Sequence, residues 1–269
     1  MKPRIEDGIV CSPYPGGSVP KMSVYQAVKE RLAQFGERTA LICKETEVTS
    51  SEMLKMLQRY AAGFQRHGVK PGDRVLAHVD DSVESFIAMY GVVFAGGVVI
   101  PSDPREERDE VMWKIEHGNA NHVLTSAEEA CSLYESLTKD SRTMKFFVVG
   151  DKPGYISVTE FKGIEEGEFT EVPVVDVEKD LIALCFTSGT TGRPKAVEET
   201  HYSCVAGLQL YRLNMMFDQT EIVGTVYSCG MPVGFRMIMR VICSGATCVN
   251  ISEGTSFDGM VNIVRRHQV

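Results

Sequence analysis

Apolar residues recur along this chain with two alternating spacings, one helical and one strand-like. Ser23 precedes Val24, Val28, Leu32 and Phe35, a spacing that predicts a serine-capped helix with one buried face. A short strand is predicted at 39–43. Thr49 and Glu52 then make a capping-box pair ahead of a helix carrying Met53, Leu57, Tyr60, Ala61 and Phe64, which Gly68 ends. Lys70-Pro71-Gly72-Asp73 reads as a turn, and 74–79 as a strand. Ser82 caps a helix running through Met89 to Phe94, Gly96-Gly97 breaks it, and 98–101 is the next strand. A charged helix over 105–117, a strand at 122–125, a helix over 127–137 and a strand at 145–149 complete the series.

Strands separated by helices of this length imply a parallel sheet. The fold class is therefore α/β, with layered, parallel-rich sheets flanked by helices. The rhythm is interrupted over 151–180, which is rich in glycine and proline and carries eight acidic against two basic residues between 160 and 180. An acidic partner surface and a solvated linker are the two readings, and loop composition favours the linker. The division is a first α/β segment over 1–180 and a second over 181–269. The second holds a strand at 181–186, another near 196–199, a helix over about 201–217 and a closing helix near 257–267.

Composition narrows the function. A net charge of −8 argues against general nucleic-acid binding, since phosphate backbones require basic surface. The most apolar stretch is too short for a transmembrane segment, and the start lacks a signal-peptide core. The eight cysteines include no Cys-x-x-Cys pair and read as buried reduced thiols. The expected location is cytoplasmic, with a peroxisomal one left open should a C-terminal signal be missing from this chain. No histidine pair has a familiar metal spacing, and no Gly-x-Ser-x-Gly elbow occurs. His201 reads as a helix-start or core residue, and Asp80-Asp81 as a helix-start pair ahead of Ser82.

One run stands apart. The apolar strand 181–186 ends in Thr187-Ser188-Gly189-Thr190-Thr191-Gly192-Arg193-Pro194-Lys195. Its glycines allow close backbone approach and its N–H groups can form an anion-binding nest. The hydroxyls of Thr187, Ser188, Thr190 and Thr191 add donors, and Arg193 and Lys195 add positive charge. A plain turn needs neither so many hydroxyls nor the closing Pro-Lys. The Walker A template fails because Lys195 follows Pro194 and precedes Ala196, and the dinucleotide fingerprint fails for want of a Gly-x-Gly opening.

With its apolar strand before and Val197 and Thr200-His201 after, this run closely resembles the signature loop of adenylate-forming (AMP-binding) enzymes, among them acyl-CoA synthetases and 4-coumarate-CoA ligase-like enzymes. Lys70-Pro71-Gly72-Asp73-Arg74-Val75, Ala95-Gly96-Gly97, Val99-Ile100-Pro101 with Asp103-Pro104, and Ser244-Gly245-Ala246-Thr247 are similar to further elements of that family. The resemblance implies an ATP-dependent carboxylate-CoA ligase: a carboxylic acid attacks the α-phosphate of ATP, and coenzyme A then displaces AMP. It implies ATP binding by Thr187, Ser188, Gly189, Thr190, Thr191, Gly192, Arg193 and Lys195, with Thr187 also near a magnesium ion.

Three departures qualify it. Ala196 stands where the family usually has glycine. Gly230-Met231-Pro232-Val233-Gly234 stands where it often has Phe-His-x-x-Gly, making Met231 and Gly234 candidate substrate-pocket residues without the histidine. The family's Tyr-Gly-x-Thr-Glu run, ribose-binding aspartate and catalytic lysine have no counterpart in these 269 residues, and no residue here is assigned as catalytic. On that ground the chain reads as an N-terminal fragment, expected to be inactive in isolation. The alternative is a non-catalytic nucleotide-binding or interaction protein derived from such a ligase.

Overall fold

A computed structural model describes residues 4–11, 18–138, 144–187, 194–215, 217–252 and 254–269. In chain order the elements are β1 (Arg4–Glu6), β2 (Ile9–Cys11), α1 (Val24–Phe35), β3 (Thr39–Cys43), β4 (Thr46–Thr49), α2 (Ser50–Arg66), β5 (Arg74–His78), α3 (Val83–Phe94), β6 (Val98–Ser102) and α4 (Arg108–His117). There follow β7 (His122–Ser126), α5 (Ala130–Thr138), β8 (Lys145–Val149), β9 (Ile156–Ser157), β10 (Leu181–Thr187), β11 (Lys195–Thr200), α6 (His201–Met215), β12 (Ile222–Thr225), α7 (Pro232–Ser244), β13 (Thr247–Asn250) and α8 (Phe257–His267). The caps expected from sequence form: Ser23 with Gln26, and Thr49 with Glu52, each make a reciprocal capping box.

Two larger sheets carry the architecture. One has the order β11-β10-β6-β5-β7-β8-β9, and the other β12-β13-β3-β4. In the first, β10, β6, β5, β7, β8 and β9 pair in parallel, and β11 closes the edge antiparallel to β10. Strands from both sides of residue 180 enter both sheets, so the two sequence segments interleave. Alternation along β5 builds two cores. Val75 and Ala77 join the cluster of α1, α2, α3 and α7, whereas Leu76 meets Val111 and Ile115 of α4 and Leu133 of α5. The α3 helix is buried almost all round, as its uniformly apolar sequence requires.

Several sequence expectations are corrected. The α4 helix starts at Arg108 rather than 105, because the Asp103 carboxylate accepts from Arg105 N at 2.9 Å and Glu106 accepts from Asp103 N at 3.1 Å, holding a turn in place of helix. Segment 151–180 is mostly exposed or half-buried, yet it carries regular structure and a docked apolar patch. It contributes β9 and two short 3-10 turns, Val158–Gly163 and Glu166–Glu168. Val158, Phe161 and Ile164 are buried, and the Phe161 ring packs edge-on to Phe64 at 5.4 Å and Tyr60 at 5.9 Å. Its acids pair across to α1 and α2 at the surface: Glu166 with Arg59 at 3.2 Å, Glu168 with Arg66, and Glu171 accepts from Gln26 at 2.9 Å. The charge excess was visible in the sequence, but not the three apolar residues that dock the segment on α2. All eight cysteines are free thiols, and Cys43, Cys185, Cys204, Cys229, Cys243 and Cys248 are buried as expected.

His201 is a structural residue. It opens α6, is buried, and its Nδ1 accepts the N–H of Val24 at 3.1 Å, satisfying a donor in the first turn of α1. Burial pushes the imidazole down to about 4, against the pull of Asp180. The unfolded chain therefore takes up a proton near pH 6.5 that the folded chain refuses until about pH 4. Stability is fully present above pH 6.5 and falls as pH drops toward 4, by on the order of 3 kcal/mol. His201→Asn keeps an acceptor and removes the titration, so its urea-unfolding free energy should lose this slope between those pH values. Parallel pH profiles for variant and parent would refute the assignment.

Candidate functional site

The strand β10 is buried from Ile182 through Phe186 and is flanked by β6 and β11. A strand covered on both faces must be apolar throughout, which explains the unbroken run Leu181-Ile182-Ala183-Leu184-Cys185-Phe186. Because β10 runs parallel to β6, β5 and β7, Thr187 emerges at the carboxyl edge where His78, Ser102 and Ser126 also end their strands. The chain passes from β5 to β6 on one side and then crosses to β7 on the other. Open α/β sheets bind ligands outside the carboxyl ends of their strands, at such reversals.

The run singled out by sequence bridges β10 and β11. Ser188, Gly189, Thr190, Thr191, Gly192 and Arg193 lie outside the described residues. Its two ends are defined. Thr187 pairs with Lys195 across the strands, and the exposed Thr187 hydroxyl donates to the Lys195 carbonyl at 3.4 Å. Lys195 itself is exposed.

Thr187 and Pro194 open onto a cleft of about 620 Å³, whose walls include Phe186, Met231, Pro232 and Val233. The structure thus brings Thr187 and Pro194, at the ends of the undescribed run, together with Met231. Met231 is the residue before α7, and its sulfur receives an N–H of Arg105 at 3.8 Å. Gly234 is not among the cleft-lining residues. It is buried, and a Cβ added there would lie 1.9 Å from the Ser228 carbonyl oxygen. Gly230 is similarly enclosed, with a Cβ meeting the Ser102 and Val79 carbonyls at 2.8 and 2.9 Å. No aromatic side chain could stand at Gly230 with this backbone, so the departure from Phe-His-x-x-Gly belongs to local packing.

Sequence reasoning missed the charged lining of the cleft. Asp103 holds Arg105 through two hydrogen bonds of 2.7 and 2.8 Å. Burial pushes the Asp103 carboxyl up, but those bonds and the Arg105 charge outweigh it and leave the carboxyl below its usual value. Behind this pair, buried Lys114 bonds to Glu106 at 2.5 Å and to the Pro101 carbonyl at 3.3 Å. The Ser102 hydroxyl donates to Glu106 at 2.8 Å, so it accepts from Nδ1 of His78 at 3.0 Å. Burial holds that imidazole below its ordinary value. This hydrogen-bonded chain fastens the start of α4 to the ends of β5 and β6. Arg236 of α7 completes the lining. The Asp103-Pro104-Arg105 turn was the one local signal, while Lys114 and Arg236 sit unmarked inside helices.

The chain belongs to the AMP-binding enzyme family, whose model matches residues 28–269. Among curated proteins it is similar to a 3-hydroxybenzoate-CoA/4-hydroxybenzoate-CoA ligase of Thauera aromatica, at 33% identity over 184 residues, covering 67% of this chain and 35% of the relative. It is also similar to a crotonobetaine/carnitine-CoA ligase of Escherichia fergusonii, at 28% identity over 179 residues, covering 63% and 34%. The alignments thus span about a third of these relatives. Among solved structures, a long-chain-fatty-acid-CoA ligase from Archaeoglobus fulgidus superposes with a TM-score of 0.83 at 20% identity, over 95% of this chain and 52% of that one. The N-terminal subdomain of Klebsiella oxytoca NpsA, in complex with 3-hydroxybenzoyl-AMSN, superposes with a TM-score of 0.75 at 18% identity, over 93% and 59%. The α/β fold with parallel-rich sheets is therefore that of adenylate-forming enzymes. Among the described residues, no helix is long and apolar enough to cross a membrane.

Gly234→Ala tests the packing beneath the cleft. A methyl group must displace the Ser228 carbonyl, and overpacking of this kind costs about 1–3 kcal/mol. Denaturant unfolding should show that loss, and a change below about 0.5 kcal/mol would contradict the contact.

Proposed function

We propose that this chain supplies the nucleotide-phosphate loop and the acyl-facing wall of an ATP-dependent carboxylate-CoA ligase. A carboxylate oxygen attacks the α-phosphate of ATP, and pyrophosphate leaves with the bonding electrons. The coenzyme A thiol then attacks the acyl carbon and expels AMP. The loop from Thr187 to Lys195 would cradle the β- and γ-phosphates, so that fixed donors meet the charge that grows on the leaving group. One observation carries the reading most of the way: both described ends of that loop, Thr187 and Pro194, border the same cleft as Met231, Pro232 and Val233. Phosphate and acyl functions thereby become neighbours. The CoA-ligase relatives support the same class, and a small carboxylic acid suits an open cleft of about 620 Å³.

The resemblance also implies magnesium. Among the described residues, no group of three or more His, Cys, Asp or Glu side chains is arranged to hold a metal ion. Magnesium does not require such a cage, since it keeps waters and binds through one or two protein ligands plus substrate phosphates. The exposed Thr187 hydroxyl at the cleft edge fits that demand. When bound there, the ion would neutralise phosphate charge.

Lys195→Ala should weaken ATP binding by about 1.5–3 kcal/mol, the usual contribution of a hydrogen bond to a charged group, while leaving the fold intact because the side chain is exposed. Titration calorimetry with MgATP reads this directly. Unchanged affinity would remove the loop assignment.

A further inference from the structure

The α7 helix places two arginines, Arg236 and Arg240, one turn apart beside one buried carboxyl. That carboxyl is Glu199 of β11, only 6% exposed, with Oε2 3.9 Å from Arg236 Nε and accepting from the Cys185 thiol at 3.9 Å. Burial pushes the Glu199 carboxyl up, against the pull of both arginines. The two cations are housed differently. Gly207 of α6 makes room for Arg240, since a Cβ there would lie 2.6 Å from Arg240 Nη2. Arg236 instead lines the cleft beside Thr187, Pro194 and Met231. Its Nε donates to the Pro232 carbonyl at 3.1 Å, which fixes the guanidinium on the first turn of α7. Nη1 and Nη2 carry no hydrogen bond among the described residues.

The charges of the cleft then sort themselves. Arg105 is held bidentately by Asp103, and Lys114 by Glu106. Glu107 and Glu110 line the cleft as well, and Arg236 lies 3.9 Å from Glu199 through Nε. The two terminal nitrogens of Arg236 are left as a fork, and such a fork matches the two oxygens of a carboxylate. The neighbouring walls are apolar: Phe186, Met231 and Val233 can take the body of an acid but not its charged end. Met231 stands where the resemblance expects a histidine, so α7 offers its cation to the cleft five residues later.

We propose that Arg236 binds the reacting carboxylate of the acyl substrate and so selects acids over their uncharged analogues. This rests on the reading of the chain as part of a carboxylate-activating ligase. A carboxylate is favoured over a nucleotide phosphate because the run 187–195 has its own hydroxyls and cations, whereas Arg236 offers one fork in a cleft whose other cations, Arg105 and Lys114, are already bonded to Asp103 and Glu106.

The test pairs acids with their amides, which keep the shape and lose the charge. Benzoate, 3-hydroxybenzoate and octanoate are titrated into the full chain in the presence of MgATP, each alongside its amide. At least one acid should bind roughly 10- to 100-fold more tightly than its amide, the span expected of a charged hydrogen-bonded pair. Arg236→Gln should bring that ratio to within about 2-fold while leaving ATP affinity unchanged, and Arg236→Lys should restore part of it. Circular dichroism and urea unfolding of both variants check that they fold. An acid preference that survives Arg236→Gln would overturn the proposal, as would a parent chain that prefers no acid, or a variant that loses ATP affinity instead. Failure of the parent to bind ATP would sink the ligase reading itself. ATP binding together with an unchanged acid preference in Arg236→Gln would sink only the role of Arg236.

Discussion

Hydrogen bonding of β10 on both edges, to parallel β6 and antiparallel β11, is the constraint on which the site depends. A strand held this way, with five consecutive residues buried, cannot slide by one position without breaking its pairing on both edges and repacking side chains of different size on both faces. Register therefore fixes where Thr187 leaves the sheet and where Lys195 re-enters it. The same pairing brings Glu199 into the interior and His201 under the start of α1.

The cleft beyond Thr187 is shaped by a division of labour among charges. Asp103 with Arg105, and Glu106 with Lys114, are neutralised pairs whose hydrogen bonds position backbone: the turn before α4 and the ends of β5 and β6. The buried Lys114–Glu106 pair contributes little net stability but is costly to break, so it specifies geometry. Arg236 differs because its two terminal nitrogens carry no hydrogen bond among the described residues. Those nitrogens thus remain available at the wall of the cleft.

Much of this was legible in the sequence, for local reasons. The caps at Ser23 and Thr49, the apolar run before Thr187 and the glycines that end helices all act through neighbours a few residues away. The family resemblance rests on the same local runs, and the match over residues 28–269 agrees with it. What was not legible depends on distant partners. The segment after residue 150 looked like linker because its acids were counted without Arg59 and Arg66, and its Val158, Phe161 and Ile164 without the α2 surface they cover. Gly234 looked like a pocket residue until the Ser228 carbonyl was found against it. Arg236 and Glu199 carry no motif at all, and only the fold brings them within 3.9 Å of each other.

The central claim is that nucleotide phosphate binds where β10 meets β11 and that the bound state reaches the start of α7. Hydrogen-exchange mass spectrometry of the full chain, with and without saturating MgATP, tests it most directly. Slowed exchange is expected in peptides spanning 181–200 and 230–236, with peptides of β8 and α8 unchanged. Protection confined to other regions, or none within 181–200, would contradict the account.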